Sequence, residues 1–189
     1  MAALATFDRH GLWLSTSVCE GASCPVAASA GMRWGRWVDG HPAVDTDEAE
    51  VGQSRALVAL RRHLGLHVAE RVQCVPQAEV LEASRPLELR SDGGVACAFL
   101  QGTALIYLRT PSGFTGLLCE AGDWVLLPAG MPHVFDAGAS PDLSFLRLSE
   151  GTRGWFPLHT GKPLPPTLPG MDAFIAQLLH ALGEDIEGP

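Results

Sequence analysis

From Pro86 onward, apolar and polar positions change over in short runs broken by Gly, Pro and Asp. Residues 87–91, 95–100, 103–109, 114–119, 124–127, 133–136 and 143–149 read as extended segments. Asp92-Gly93-Gly94 and Gln101-Gly102 supply turns between them. Many short strands spaced by such turns predict a closed β-barrel or jelly roll. Upstream the pattern is mixed. Residues 11–16, 33–38 and 68–75 look extended, and Asp39-Gly40-His41-Pro42 is a turn signal. Asp45-Thr46-Asp47 is placed to cap a helix over 48–63, its core face using Val51, Leu57, Leu60 and Leu64, with Gly65 near its end. A short helix is read over 77–83. The Pro-rich stretch 162–169 is expected to wrap the surface, residues 171–182 to form an amphipathic helix, and 183–189 to fray.

Composition narrows the function classes. The 189 residues are enough for one domain, and 47% hydrophobic with 18% charged residues implies extensive burial. The net charge of -8 argues against a nucleic acid or an anionic membrane surface, since both need clustered Lys and Arg. No run approaches the roughly 18 apolar residues of a membrane span. The first residues lack a basic, then apolar, leader pattern, so a cytoplasmic location is expected. Cys19, Cys24, Cys74, Cys97 and Cys119 are odd in number and scattered, which points to reduced thiols, and no second pair completes a zinc site with Cys19 and Cys24.

The segment Gly122-Asp123-Trp124-Val125-Leu126-Leu127-Pro128-Ala129-Gly130-Met131-Pro132-His133-Val134-Phe135-Asp136 resembles the last metal-binding strand pair of a cupin barrel. Arg33-Trp34-Gly35-Arg36-Trp37, the run Leu118-Cys119-Glu120, Phe145-Leu146-Arg147-Leu148 and Gly154-Trp155 extend the resemblance to acireductone dioxygenases over about residues 7–160. The fold implied is mainly β: a cupin, that is, a double-stranded β-helix or jelly-roll barrel, with a few flanking α-helices. Residues 1–189 are read as a single cupin domain. Within it, 1–85 give N-terminal strands and helices packing on the barrel, 86–160 the barrel core, and 161–189 the Pro-rich segment and C-terminal helix.

The resemblance also implies a ligand set. The family holds Fe(II) or Ni(II) with a His-x-His-x3-Glu segment and a later His, because such a metal wants imidazoles and a carboxylate on one inward face with open positions for substrate. Anchored on Gln101-Gly102-Thr103-Ala104-Leu105, the first three positions fall on Leu89, Ser91 and Val95, leaving His133 alone. A shift by one residue reaches Glu88, Arg90 and Gly94, and would turn the strand over. The family's basic residue after the Glu falls on Cys97. Arg147 aligns with a substrate-contacting Arg, and Phe135 with an aromatic wall.

Each candidate has a chemical and a packing reading. His133 is an acid/base or a hydrogen-bonded interior histidine. Cys97, inward with Val95 by strand parity, is a nucleophile, base or unusual ligand, or else a small buried hydrophobe. Arg147 forks onto an oxyanion or forms a structural salt bridge. Ser91, Phe99, Phe135 and Trp155 are expected to line the substrate pocket. Glu88 and Asp92 are the carboxylates near the ligand positions, Asp92 favouring the turn. His63 and His67 suit a helix end, and Trp13, Trp34, Trp37 and Phe156 suit packing.

Four readings stay open. One is a divergent enzyme without the family's metal centre, acting on a small enol, keto or thio substrate through His133, Arg147 and Cys97. Another is a dioxygenase with Fe(II) or Ni(II) held by His133 and non-standard partners. The others are a ligand-binding barrel and a homodimer formed through an exposed sheet face.

Overall fold

A computed structural model describes residues 2–19, 25–37, 54–75, 86–151 and 156–184. Among the described residues twelve strands make two antiparallel sheets. Four come from the N-terminal region: β1 (Ala2–Asp8), β2 (Trp13–Cys19), β3 (Arg33–Arg36) and β4 (Val68–Cys74). Eight follow: β5 (Leu89–Ser91), β6 (Val95–Gln101), β7 (Thr103–Thr110), β8 (Gly113–Glu120), β9 (Asp123–Leu127), β10 (His133–Asp136), β11 (Leu143–Ser149) and β12 (Pro157–His159). One sheet runs β12-β5-β10-β7-β8-β1-β2 and the other β3-β9-β6-β11-β4. The N-terminal strands are therefore hydrogen-bonded members of both sheets.

Alternation along the strands builds two different faces. Ile106, Leu108, Leu117 and Phe135 of the first sheet meet Val95, Cys97, Phe99, Val125 and Phe145 of the second in one buried interior. The opposite faces are covered by helices. Ala96, Ala98, Leu100, Leu146 and Leu148 pack with Leu57, Leu60 and Leu64 of α2 (Arg55–Leu64), while α1 (Pro25–Ser29) is a single short turn. Phe7, Leu105, Tyr107 and Val134 pack with Phe174 and Leu178 of α3 (Met171–Glu184). The result is the expected cupin jelly roll, with apolar residues in both parities of the central strands.

Local chemistry sets the element ends. The Ser54 hydroxyl accepts the Leu57 amide at 3.2 Å, so the described part of α2 is capped there, and the expected start at 48 lies outside the described residues. Gly65 ends α2 in the left-handed region at φ 71°, as its position predicts. Gly102 turns β6 into β7 at φ 75°, and a Cβ there would run into the Asp142 carbonyl oxygen. Both β1 and β12 are additions to the sequence reading, and the helix expected over 77–83 lies outside the described residues. The reduced-thiol expectation is corrected at one position: Cys19 is disulfide-bonded, whereas Cys74, Cys97 and Cys119 are free. An odd count shows that at least one thiol is left over, not which cysteines the fold brings together. Among the described residues no helix is long and apolar enough to cross a membrane.

Candidate functional site

His133 opens β10, directly opposite Leu89 on β5 and Leu108 on β7. It shares its face with Phe135, so its ring points to the barrel interior, where it is only 4% exposed. The ring Nδ1 lies 3.0 Å from the Met131 carbonyl oxygen. That oxygen can only accept, so in the neutral ring Nδ1 carries the hydrogen and Nε2 keeps its lone pair. Burial lowers the His133 pKa below its ordinary 6.5, and the bond to Met131 and the charge of Glu88 pull the other way.

The sign of this shift gives a stability prediction. Below about 6.5 the unfolded chain takes up a proton that folded His133 refuses. The contribution is therefore fully present above that pH and is lost as pH falls through the window down to the folded pKa. Chemical denaturation between about pH 7.5 and about pH 5, either side of the ordinary histidine range, should show a steeper loss in the wild type than in His133→Gln. Parallel curves would refute the assignment.

A second group of polar residues lies across the other sheet. Cys97 on β6 is paired with Arg147 on β11, and Arg147 with Glu70 on β4. Directly opposed residues share a face, so thiol, guanidinium and carboxylate form one cross-strand row on the inner side. Arg147 Nη2 donates to Glu70 Oε2 at 2.7 Å. The Arg147 side chain is 17% exposed and that of Glu70 53%, so the pair sits at the open edge. Strand parity places Cys97 inward as expected, but burial pushes its thiol up to about 12, with Arg147 opposing. At neutral pH it is a thiol, so the thiolate roles considered from sequence have no support in this environment.

The remaining candidates spread out. Phe99 is fully buried, with ring centroids 6.4 Å from Phe135 and 5.9 Å from Phe145. Phe135 is half-buried and shares the inward face of β10 with His133. Ser91 is buried, and its hydroxyl donates to the Gly93 carbonyl at 2.7 Å, so Ser91 closes the turn assigned to Asp92. Ser91, Asp92, Ser149, Glu150 and Phe156 line a cleft of about 140 Å³. Trp155 lies outside the described residues. His63 is a helix-end residue, edge-on to Trp124 and 3.2 Å from Arg33 Nη2.

Glu88 is not poised as a ligand. It is 3% exposed; Oε2 accepts from Arg109 Nε at 2.5 Å and Oε1 from the Thr160 hydroxyl at 2.6 Å. Arg109 also donates to the Pro163 carbonyl and lies 4.7 Å over the Phe114 ring. Sequence reasoning missed this cluster, because 21 and 72 residues separate the partners. Glu70 was also missed, although its parity with Val72 and Cys74, both packed on the interior, carried the signal. Among the described residues no three His, Cys, Asp or Glu converge in a way that could hold a metal ion.

Comparison with known proteins places this geometry in context. The family profile described as ARD/ARD' family matches residues 89–157. Acireductone dioxygenase 1 of Nocardia farcinica is 39% identical over 77 residues, 41% of each chain. Acireductone dioxygenases of Enterobacter sp. and Frankia alni are 29% and 28% identical, covering 87% and 97% of this chain and 93% and 95% of theirs. In structure, acireductone dioxygenase from Bacillus anthracis with a cadmium ion in its active centre matches with a TM-score of 0.59. It is 16% identical, and the match covers 71% of this chain and 87% of that one.

Proposed function

We propose that this chain, a cupin similar to acireductone dioxygenases over most of its length, acts on a small enol, keto or thio compound in the barrel interior without an Fe(II) or Ni(II) centre. In this reading His133 Nε2 moves a proton and Arg147 holds the oxyanion. The observation that carries it is the state of His133: buried, neutral at pH 7 and anchored through Nδ1, it leaves a basic Nε2 on the interior face.

Among the described residues, those around His133 do not fit an Fe(II) or Ni(II) centre. The ligand positions implied by the resemblance hold Leu89, Ser91 and Val95, and Leu89 is the direct cross-strand neighbour of His133. Cys97 is a high-pKa thiol, and Glu88 has both oxygens engaged. One imidazole is a poor hold on a divalent ion against water.

The protein's own groups supply a different chemistry. Nε2 accepts a proton from an enol oxygen or from carbon beside a carbonyl, and returns it elsewhere on the same molecule. Such an isomerisation balances without an oxidant. The developing negative charge displaces Glu70 from Arg147. That exchange is inexpensive, because Glu70 is half in water and rotates back to solvent.

Two measurements test this. Elemental analysis of untagged protein, produced with iron, nickel and zinc supplied, should find less than one equivalent of metal, unchanged in His133→Ala. One equivalent that disappears in the variant overturns the metal-free part. Deuterium incorporation into 1,2-diketone and enol probes should occur with the wild type and fall about 100-fold in His133→Gln. Binding of the probes without exchange would leave a ligand-binding barrel in place of an enzyme.

A further inference from the structure

Each sheet ends in two edge strands, and an open edge is a template for another strand unless something spoils it. Among the described residues three of the four edges are spoiled. β12 has three residues and begins at Pro157. β3 carries Arg33 and Arg36, and β4 carries Glu70 and Arg71. β2 differs. It runs seven residues without a charge or a proline, and its ladder partner is β1 on one side. Leu12 is 56%, Leu14 64% and Val18 36% exposed. On the α3 side of this edge an apolar groove of about 380 Å³ is lined by Trp13 with Ala176, Gln177, His180 and Ala181. Leu179 next to it is 67% exposed.

We propose that β2 is a self-association edge, where two copies pair antiparallel about a two-fold axis and join their seven-stranded sheets. The occupant follows from charge. A two-fold axis brings the same residues of each copy together, so a charged edge meets its own sign. With a net charge of -8 two copies repel each other overall. At β2 that repulsion is locally absent, and the strand's hydrogen-bonding groups complement those of its copy. Pairing of seven residues alone buries less than the roughly 1,600 Å² of a standard interface. Leu12, Leu14, Leu179 and the Trp13 groove supply further apolar contact at the same edge, and the association is a concentration-dependent equilibrium.

Sedimentation velocity from about 1 µM to about 1 mM should show the mass rising from 20.1 kDa toward twice that value. Leu14→Lys and Val18→Lys should each stay at 20.1 kDa with wild-type far-UV circular dichroism. A wild type that stays monomeric overturns the proposal, as does a dimer that survives both lysines or a ladder of larger species. Hydrogen exchange on the wild type gives a test without variants. The β2 amides should exchange more slowly at the high concentration than at the low one, and equal rates would overturn the proposal.

Discussion

Replacing Phe99 by Ala is expected to lower the free energy of unfolding by about 3–5 kcal/mol and the melting temperature by about 10 °C. Phe99 is fully buried in a cluster of three mutually contacting phenylalanines, and the other two, Phe135 and Phe145, come from different strands. Truncation removes the transfer energy of the ring and leaves a cavity between the two sheets. Phe135 and Phe145 cannot both close on that cavity while their strands stay paired. Phe135→Ala, at a half-buried position, should cost distinctly less stability while changing ligand affinity more. Urea unfolding of the two variants checks this order. A Phe99→Ala loss below about 1 kcal/mol would mean that the interior collapses around the gap.

The second large effect concerns Arg109 and Glu88, and it is asymmetric. Arg109→Met strips the cation from a carboxylate whose side chain is 1% exposed, and should cost about 3–5 kcal/mol. Glu88→Gln leaves Arg109, at 25% side-chain exposure, partly in water. The amide also keeps an oxygen for the Thr160 hydroxyl, so the cost should be about 1–2 kcal/mol. The double variant should recover part of the Arg109→Met loss, because no buried charge is then left alone. Equal effects of the two single changes would show that Glu88 is better hydrated than its burial implies.

The barrel strands from β5 to β11 were legible because each is short, alternating or wholly apolar, and bounded by Gly, Pro or Asp. Gly65 at the end of α2 and Gly102 between β6 and β7 were legible for a related reason: only a residue without a Cβ sits easily there. β1 was not legible. Ala2–Asp8 has no Val or Ile, and its strand state comes from being laid between β8 and β2. β12 is too short to show a period. Within the site, His133 was legible through the resemblance carried by its segment, and the inward parity of Cys97 through strand alternation. The partners of Arg147 and Glu88 could not be read, because contacts between residues 77 or 21 apart in sequence leave no local mark.

The alternation in β6 has a consequence for how this barrel can change. Its odd-numbered positions, Val95, Cys97 and Phe99, look into the interior, while Ala96, Ala98 and Leu100 carry the contact with α2. The two sets answer to different neighbours, so the chemistry of the lumen can be rewritten one residue at a time while the scaffold's anchoring face stays as it is. Loss of a ligand at 95 then needs no compensating change at 96 or 98. The same separation makes positions 89, 91, 95 and 97 a compact set for laboratory diversification, in which new donors or new pocket shapes can be installed on an unaltered framework.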